Sequence, residues 1–149
     1  MDFFVTVRHG DYGPGGLSHK GVSQITELAG LIMNRFGTSG KTAVFTSPTV
    51  RAKQSAEIVS QFFEVTPTVI DDLANDHPVP AKAKDIIDFI IEKAGDANLV
   101  IAVSHFYAPA TLVLQMAKKF GFDLGIDSWE TAKGKANVFD CKAVGITRI

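Results

Sequence analysis

The chain has 149 residues, 46% of them hydrophobic and 21% charged, with a net charge of −1 and one cysteine. These figures fit one globular domain, residues 1–149, large enough to bury a core; they exclude a disordered chain, a disulfide framework and a cysteine-rich metal site, and they give no general attraction for nucleic acid or an anionic membrane. No signal peptide is visible and the longest apolar run, Leu99 to Val103, is far too short to span a bilayer, so a cytoplasmic location is the default expectation.

Apolar runs alternate with helical periodicity along the chain. Phe3 to Val7 reads as a buried strand. Val22, Ile25, Leu28, Ala29, Ile32 and Met33 recur at three and four residues as a helix stripe, with Ser18 placed to cap it. Thr42 to Thr46 reads as a second strand. Ser47-Pro48 is a helix start, with Ser47 as cap and Pro48 at the first helical position, and the helix continues through Ala52, Ala56, Ile58, Val59 and Phe62-Phe63. Thr68 to Ile70 is a short strand. Ala81 to Lys93 is amphipathic, with Ile86, Ile87, Phe89 and Ile90 on or near one stripe. Leu99 to Val103 is the cleanest buried strand, and Pro109 to Phe120 is helical again. Val138 to Phe139 and Ala143 to Ile149 suit a terminal hairpin around Asp140-Cys141-Lys142.

Strands separated by helices imply an α/β fold: a three-layer sandwich of a mostly parallel sheet with helices on both faces and an antiparallel strand at one edge. In such sheets ligands bind beyond the carboxyl ends of the strands. Functional residues are therefore expected directly after strands.

Three strand ends meet that expectation. The first delivers Arg8 and His9, the second leads through Ser47-Pro48 to Arg51, and the central one ends in Ser104-His105. Four cationic or hydrogen-donating groups at one edge repel one another unless an anion sits among them. The planar fork of arginine matches phosphoryl oxygens, and a helix start near Arg51 adds backbone donors, so a tetrahedral phosphoryl group fits better than a carboxylate. A neutral imidazole can attack phosphorus, and positive neighbours keep it neutral, which suits His9 beside Arg8. His105 suits hydrogen bonding to a non-bridging oxygen. The expected reaction is two in-line displacements, onto His9 and then onto water, with the arginines in the place of a metal ion.

Val7-Arg8-His9-Gly10 resembles the Arg-His-Gly signature of the histidine phosphatase superfamily, the phosphoglycerate mutase-like proteins. Leu17 to Gln24 resembles the family's Leu-Thr-x-x-Gly-x-x-Gln segment. Ser47-Pro48-Thr49-Val50-Arg51-Ala52-Lys53-Gln54-Ser55-Ala56 resembles its Ser-Pro-x-x-Arg-Ala-x-Gln-Thr-Ala segment, and Val103-Ser104-His105 its late Ser-His element. The resemblance implies a mostly parallel sheet flanked by helices, His9 as the phosphorylated nucleophile, and Arg8, Arg51 and His105 as the phosphate pocket, with Gly10 and Ser18 of the matched segments at the substrate. It implies no cofactor and no metal.

Two departures from the family pattern bear on substrate. Phe106-Tyr107 follow the Ser-His element where many members carry glycines. The family's proton-donating glutamate has Leu73-Ala74-Asn75 as its nearest counterpart, leaving Asp72 or Asp76 as the candidate acid. Expelling an alkoxide needs an acid more than breaking the P–N bond of a protonated phosphohistidine does. The chain is also similar in length to the short SixA-type phosphohistidine phosphatases. The expected partner is thus a phosphorylated protein, with a small phosphate ester as the alternative substrate and a phosphoprotein-binding module as the alternative function. His19 and His77 read as solvated or polar loop residues, and Cys141 as a small hydrophobe. Gly37 to Thr42 imitates the end of a phosphate-binding loop, but Arg35 stands where its first glycine is needed, so it reads as a helix stop and turn.

Overall fold

The computed structural model describes residues 1–37 and 40–149. Its elements are β1 (Phe3–Arg8), β2 (Tyr12–Gly13), β3 (Gly16–Leu17), α1 (His19–Phe36), β4 (Thr42–Thr46), α2 (Val50–Phe63), β5 (Thr68–Val69), α3 (Pro80–Ala94), β6 (Leu99–Ser104), α4 (Ala108–Lys119), β7 (Ala136–Asp140) and β8 (Gly145–Arg148), with a 3₁₀ turn over Asp71–Ala74. The six-stranded sheet runs β5-β4-β6-β1-β7-β8. β5, β4, β6 and β1 run parallel to one another, while β7 pairs antiparallel with β1 and β8 with β7. The expected antiparallel edge is therefore a pair of strands, built by the terminal hairpin.

The helices divide by the direction of travel. From β1 through α1 to β4, and through α2 to β5, the chain moves one way across the sheet; through α3 to β6 it returns. Right-handed crossovers in opposite directions fall on opposite faces. One core accordingly joins α1 and α2 residues Ile25, Leu28, Ala56 and Val59 to Val5 and Val7 of β1. The other joins α3 and α4 residues Ile87, Ile90, Leu112 and Met116 to Phe4 and Phe139. Alternation along β1 sends Phe4 one way and Val5 and Val7 the other. Thr6, on the Phe4 side and fully buried, donates its hydroxyl to the Pro109 carbonyl of α4 at 2.7 Å. That bond removes the desolvation cost a lone buried hydroxyl would carry.

Several local expectations are corrected. Helix α2 begins at Val50 with Thr49 as its N-cap residue, so Ser47 is not the cap and Pro48 is not its first residue. On α1, Ser18 does cap, accepting the Gly21 N–H at 3.0 Å, but Val22 is 43% exposed and Gly21 is buried instead. A Cβ at Gly21 would lie 2.0 Å from the Asp11 carbonyl oxygen, so the loop after β1 packs on bare helix backbone. On α3 the buried stripe is Ala83, Ile86, Ile87, Ile90 and Ala94, and Phe89 faces solvent. The fifth strand stops at Val69 rather than Ile70. Gly37 ends α1 by donating its N–H to the Met33 carbonyl, and the turn expected at Thr38-Ser39 lies outside the described residues. Buried Cys141 has its thiol pushed up to about 11, chiefly by desolvation, which makes it inert as a nucleophile. Among the described residues, no helix is long and apolar enough to cross a membrane.

Candidate active site

Sheet register assembles the site. Arg8 at the end of β1 pairs with Ser104 at the end of β6, and Thr46 of β4 pairs with Val103. One residue further on, the His9 and His105 rings come to 5.4 Å between centroids at 70°. The pairing continues past the strands, with the His9 N–H on the Ser104 carbonyl at 3.1 Å and the Ser47 N–H on the Val103 carbonyl at 3.0 Å. Arg51, in the first turn of α2, lies over both imidazoles. Its Nε–H donates to His9 Nε2 at 3.0 Å, and its second terminal nitrogen lies 3.4 Å from His105 Nδ1.

These contacts fix the tautomers. His9 Nδ1 lies 2.9 Å from the Gly10 carbonyl, which can only accept, so Nδ1 carries the proton and Nε2 holds the lone pair that faces Arg51. His105 presents Nδ1 to Arg51, so its Nε2–H donates to the Ser47 hydroxyl at 2.9 Å. His9 is 2% exposed. Its pKa falls from 6.5 to about 4, first through burial and then through its neighbours Arg51, His105 and Arg8, which oppose a further charge, against the opposing bond to Gly10. His105 is lowered too, again first by burial and then by Arg51. The result is a neutral imidazole beside the fixed guanidinium groups of Arg51 and Arg8.

Arg8 is braced from beside the sheet. It donates to the Thr131 carbonyl at 2.9 Å and lies 4.4 Å from the Phe106 ring centroid. Thr131 belongs to a buried network in which Asn137 of β7 donates to Thr131 and Thr6 hydroxyls and accepts from Trp129 Nε1 at 3.0 Å. Arg8 also lines a surface groove of about 530 Å³ with Lys20, Gln24, Phe106, Glu130 and Lys133.

The other expected site residues lie as follows. The Gly10 N–H donates to Ser55 Oγ at 3.2 Å, and Ser55 in turn donates to the Arg51 carbonyl, so Gly10 ties the loop to α2. Ser18 donates to Asp11 Oδ2 at 2.9 Å, and Lys133 binds Asp11 Oδ1 at 2.7 Å. Together Lys133 and Ser18 hold the Asp11 carboxyl below its ordinary value. Asp72 is turned to Lys82 at 2.7 Å. Asp76 Oδ1 accepts the Tyr107 and Ala108 N–H groups at 2.9 and 3.2 Å, at the start of α4, and its charge bears on Arg8 and His105. Asn75 accepts the His77 N–H at 3.1 Å, and His77 stacks on Tyr107 with centroids 4.6 Å apart. Among the described residues no cluster of three His, Cys, Asp or Glu side chains is arranged for a metal ion.

Sequence reasoning missed Ser47 and Tyr12. Ser47 looked like a helix cap, yet its hydroxyl is the partner of His105. If His105 bears charge during turnover, Ser47→Ala lowers kcat about tenfold with KM little changed, the cost of one buried hydrogen bond to that imidazole. Steady-state kinetics check this; an unchanged kcat removes Ser47 from the mechanism. Tyr12 sits on β2, whose partner strand is anchored to α2 by the Leu17 N–H on Gln54 Oε1 at 2.7 Å. Two-residue strands carry no periodic signal, and only Pro14-Gly15 hints at the turn between them.

No family model and no curated protein matches the chain. Solved structures do. The protein histidine phosphatase SixA, complexed with tungstate, aligns at TM-score 0.69 and 16% identity over 99% of this chain and 94% of its own. The mycobacterial glucosyl-3-phosphoglycerate phosphatase with VO3 aligns at TM-score 0.68 and 12% identity, over 93% and 92%. The phosphoglycerate mutase of Plasmodium falciparum aligns at TM-score 0.60 and 13% identity, over 99% and 87%. The chain shares the fold of these two phosphatases and the mutase.

Proposed function

We propose that this chain is a metal-independent phosphatase of the histidine phosphatase superfamily that acts through a phosphohistidine intermediate on His9, and that its substrate is phosphohistidine in a protein. The observation that carries the reading is the state of His9: buried, neutral, its Nδ1–H held by Gly10 and its Nε2 lone pair turned toward Arg51 with His105 alongside.

In the first displacement Nε2 bonds to phosphorus as the bond from phosphorus to the leaving group breaks. The Arg51 N–H that met the lone pair passes to a phosphoryl oxygen, so the donor remains satisfied. Arg8 and the second terminal nitrogen of Arg51 grip further oxygens. His105 takes the proton of the substrate's monoanionic phosphoryl group at Nδ1, its Nε2–H staying on Ser47, and donates it as a hydrogen bond back to that oxygen as charge shifts. In the second displacement water attacks, the P–Nε2 bond breaks, and His9 returns with its lone pair as phosphate leaves. A leaving imidazole that arrives protonated departs neutral and needs no acid. That supports phosphohistidine in a chain that carries Asn75 as the nearest counterpart of the family's glutamate.

The test compares a phosphohistidine peptide, an aryl phosphate and a sugar phosphate across pH. The peptide is expected to give the highest kcat/KM. With a substrate that does not itself titrate in the range, the acid limb of kcat/KM lies near 4, because the free enzyme loses its nucleophile only when His9 is protonated and its pKa is depressed to about 4. A limb near 6.5 contradicts the buried neutral imidazole. Preference for the sugar phosphate moves the substrate to small esters, and tight phosphate binding without turnover makes the chain a binding module.

A further inference from the structure

Tyr12 stands beside the nucleophile and takes no part in the two displacements. Its ring meets the His9 ring edge-on at 5.1 Å between centroids. The Arg51 guanidinium carbon lies 4.6 Å from the Tyr12 centroid, and Lys133 Nζ lies 4.9 Å from it. Two cations thus share one ring. Neither the ring nor the hairpin that bears it floats. Leu17 is bonded to Gln54, one turn along α2 from Arg51, and at Gly16, with φ +119°, a Cβ would come within 2.3 Å of the Gln54 side chain. On the other side Lys133 ties to Asp11, and Asp11 to Ser18 and Gln24 of the α1 start.

From this we infer that Tyr12 is a positioning residue: its π face, fixed by the hairpin docked on α2, holds the Arg51 guanidinium against the two imidazoles so that the arginine reaches phosphoryl oxygens without a search. Arginine otherwise retains several free rotors, and freezing them before substrate arrives is what preorganisation supplies. A ring face attracts a cation through its quadrupole even at a site as open as that of Tyr12, which is 43% exposed. The kinetic consequence rests on the phosphatase reading; the structural one does not.

The experiment uses the whole chain with Tyr12→Phe, Tyr12→Leu and Tyr12 replaced by pentafluorophenylalanine, which keeps the ring's shape and reverses its quadrupole. Leucine alone is ambiguous, because removing the ring also uncovers His9. The fluorinated ring separates shielding from attraction. Two quantities are read: kcat/KM on an aryl phosphate, and the His9 titration by NMR, which requires no turnover. His9 faces Arg8 on its own strand end, Arg51 from α2, His105 from the end of β6 and the Tyr12 ring from β2, so loosening Arg51 removes one of its positive neighbours. Phenylalanine is expected to restore the wild-type profile. The fluorinated ring is expected to lower kcat/KM about tenfold and to move the His9 titration upward. If the fluorinated protein matches the phenylalanine variant in both quantities, Tyr12 only covers the site and the inference is overturned. If no phosphate is turned over by any form while the His9 titration still responds to the fluorinated ring, the phosphatase reading falls and the role of Tyr12 stands.

Discussion

His9→Ala is expected to lower kcat/KM by at least about 10⁴, because it removes the atom that becomes bonded to phosphorus, while His105 serves a phosphoryl oxygen. His105 has its lone pair on Nδ1 against Arg51 and its other nitrogen on Ser47. The loss is chemical rather than structural: the strand pairing at this position runs through the His9 backbone N–H to Ser104, which alanine retains. Vanadate or phosphate binding, followed by calorimetry, is therefore expected to persist while turnover disappears. Activity surviving in this variant means that water attacks the substrate directly.

Arg51→Ala is expected to cost about 10³ in kcat/KM, the scale on which a preorganised donor to a transferring phosphoryl group acts. One guanidinium contacts both imidazoles, so both displacements suffer. Arg51→Lys recovers little, since an ammonium has no planar fork for two oxygens and no Nε–H to meet His9. The pH profile adds a distinct signature. Arg51 helps depress the His9 pKa, but burial is the larger cause. Removing the arginine therefore moves the acid limb only part of the way from about 4 toward 6.5. A rate loss with no movement of the limb implies that Arg51 binds substrate without touching His9. A limb at the ordinary value implies that charge, not burial, governs the imidazole.

Much of this site was legible from the chain alone, for a specific reason. Arg8-His9 and Ser104-His105 directly follow apolar runs that can only be buried strands, and Arg51 opens the helix after a third. Parallel strands deliver the residues after their carboxyl ends to one edge, so adjacency needed only the correct order, β4-β6-β1. The helices on both faces followed from the alternation of elements. Phe89 was also open to a stricter reading: the spacing of Ala83, Ile86, Ile87, Ile90 and Ala94 excludes it from the stripe it was grouped with.

The remainder depended on competition between partners that a sequence does not display. Ser47 has the composition of a helix cap, and its hydroxyl does accept the Thr49 N–H at 3.4 Å, but it also takes the Nε2–H of a buried imidazole far along the chain. Asp76, a candidate acid, is placed by the first N–H groups of α4, far along the chain, which take one of its two oxygens. The bracing of Arg8 through Thr131, Asn137 and Trp129 joins β1 to residues near the opposite end of the chain. No local pattern encodes such pairings. The Tyr12 hairpin escaped because its strands are too short to show a period.

The most direct measurement is chemical trapping of the intermediate. Wild-type chain is mixed with a fast-reacting phosphoryl donor, quenched in alkali, digested and mapped by mass spectrometry. The expected result is one phosphoryl group on the peptide that carries His9, stable in alkali, released by acid, and missing from the His9→Ala protein. Full turnover with no phosphoryl group ever found on that peptide, or with one found on His105 instead, contradicts a covalent intermediate on His9.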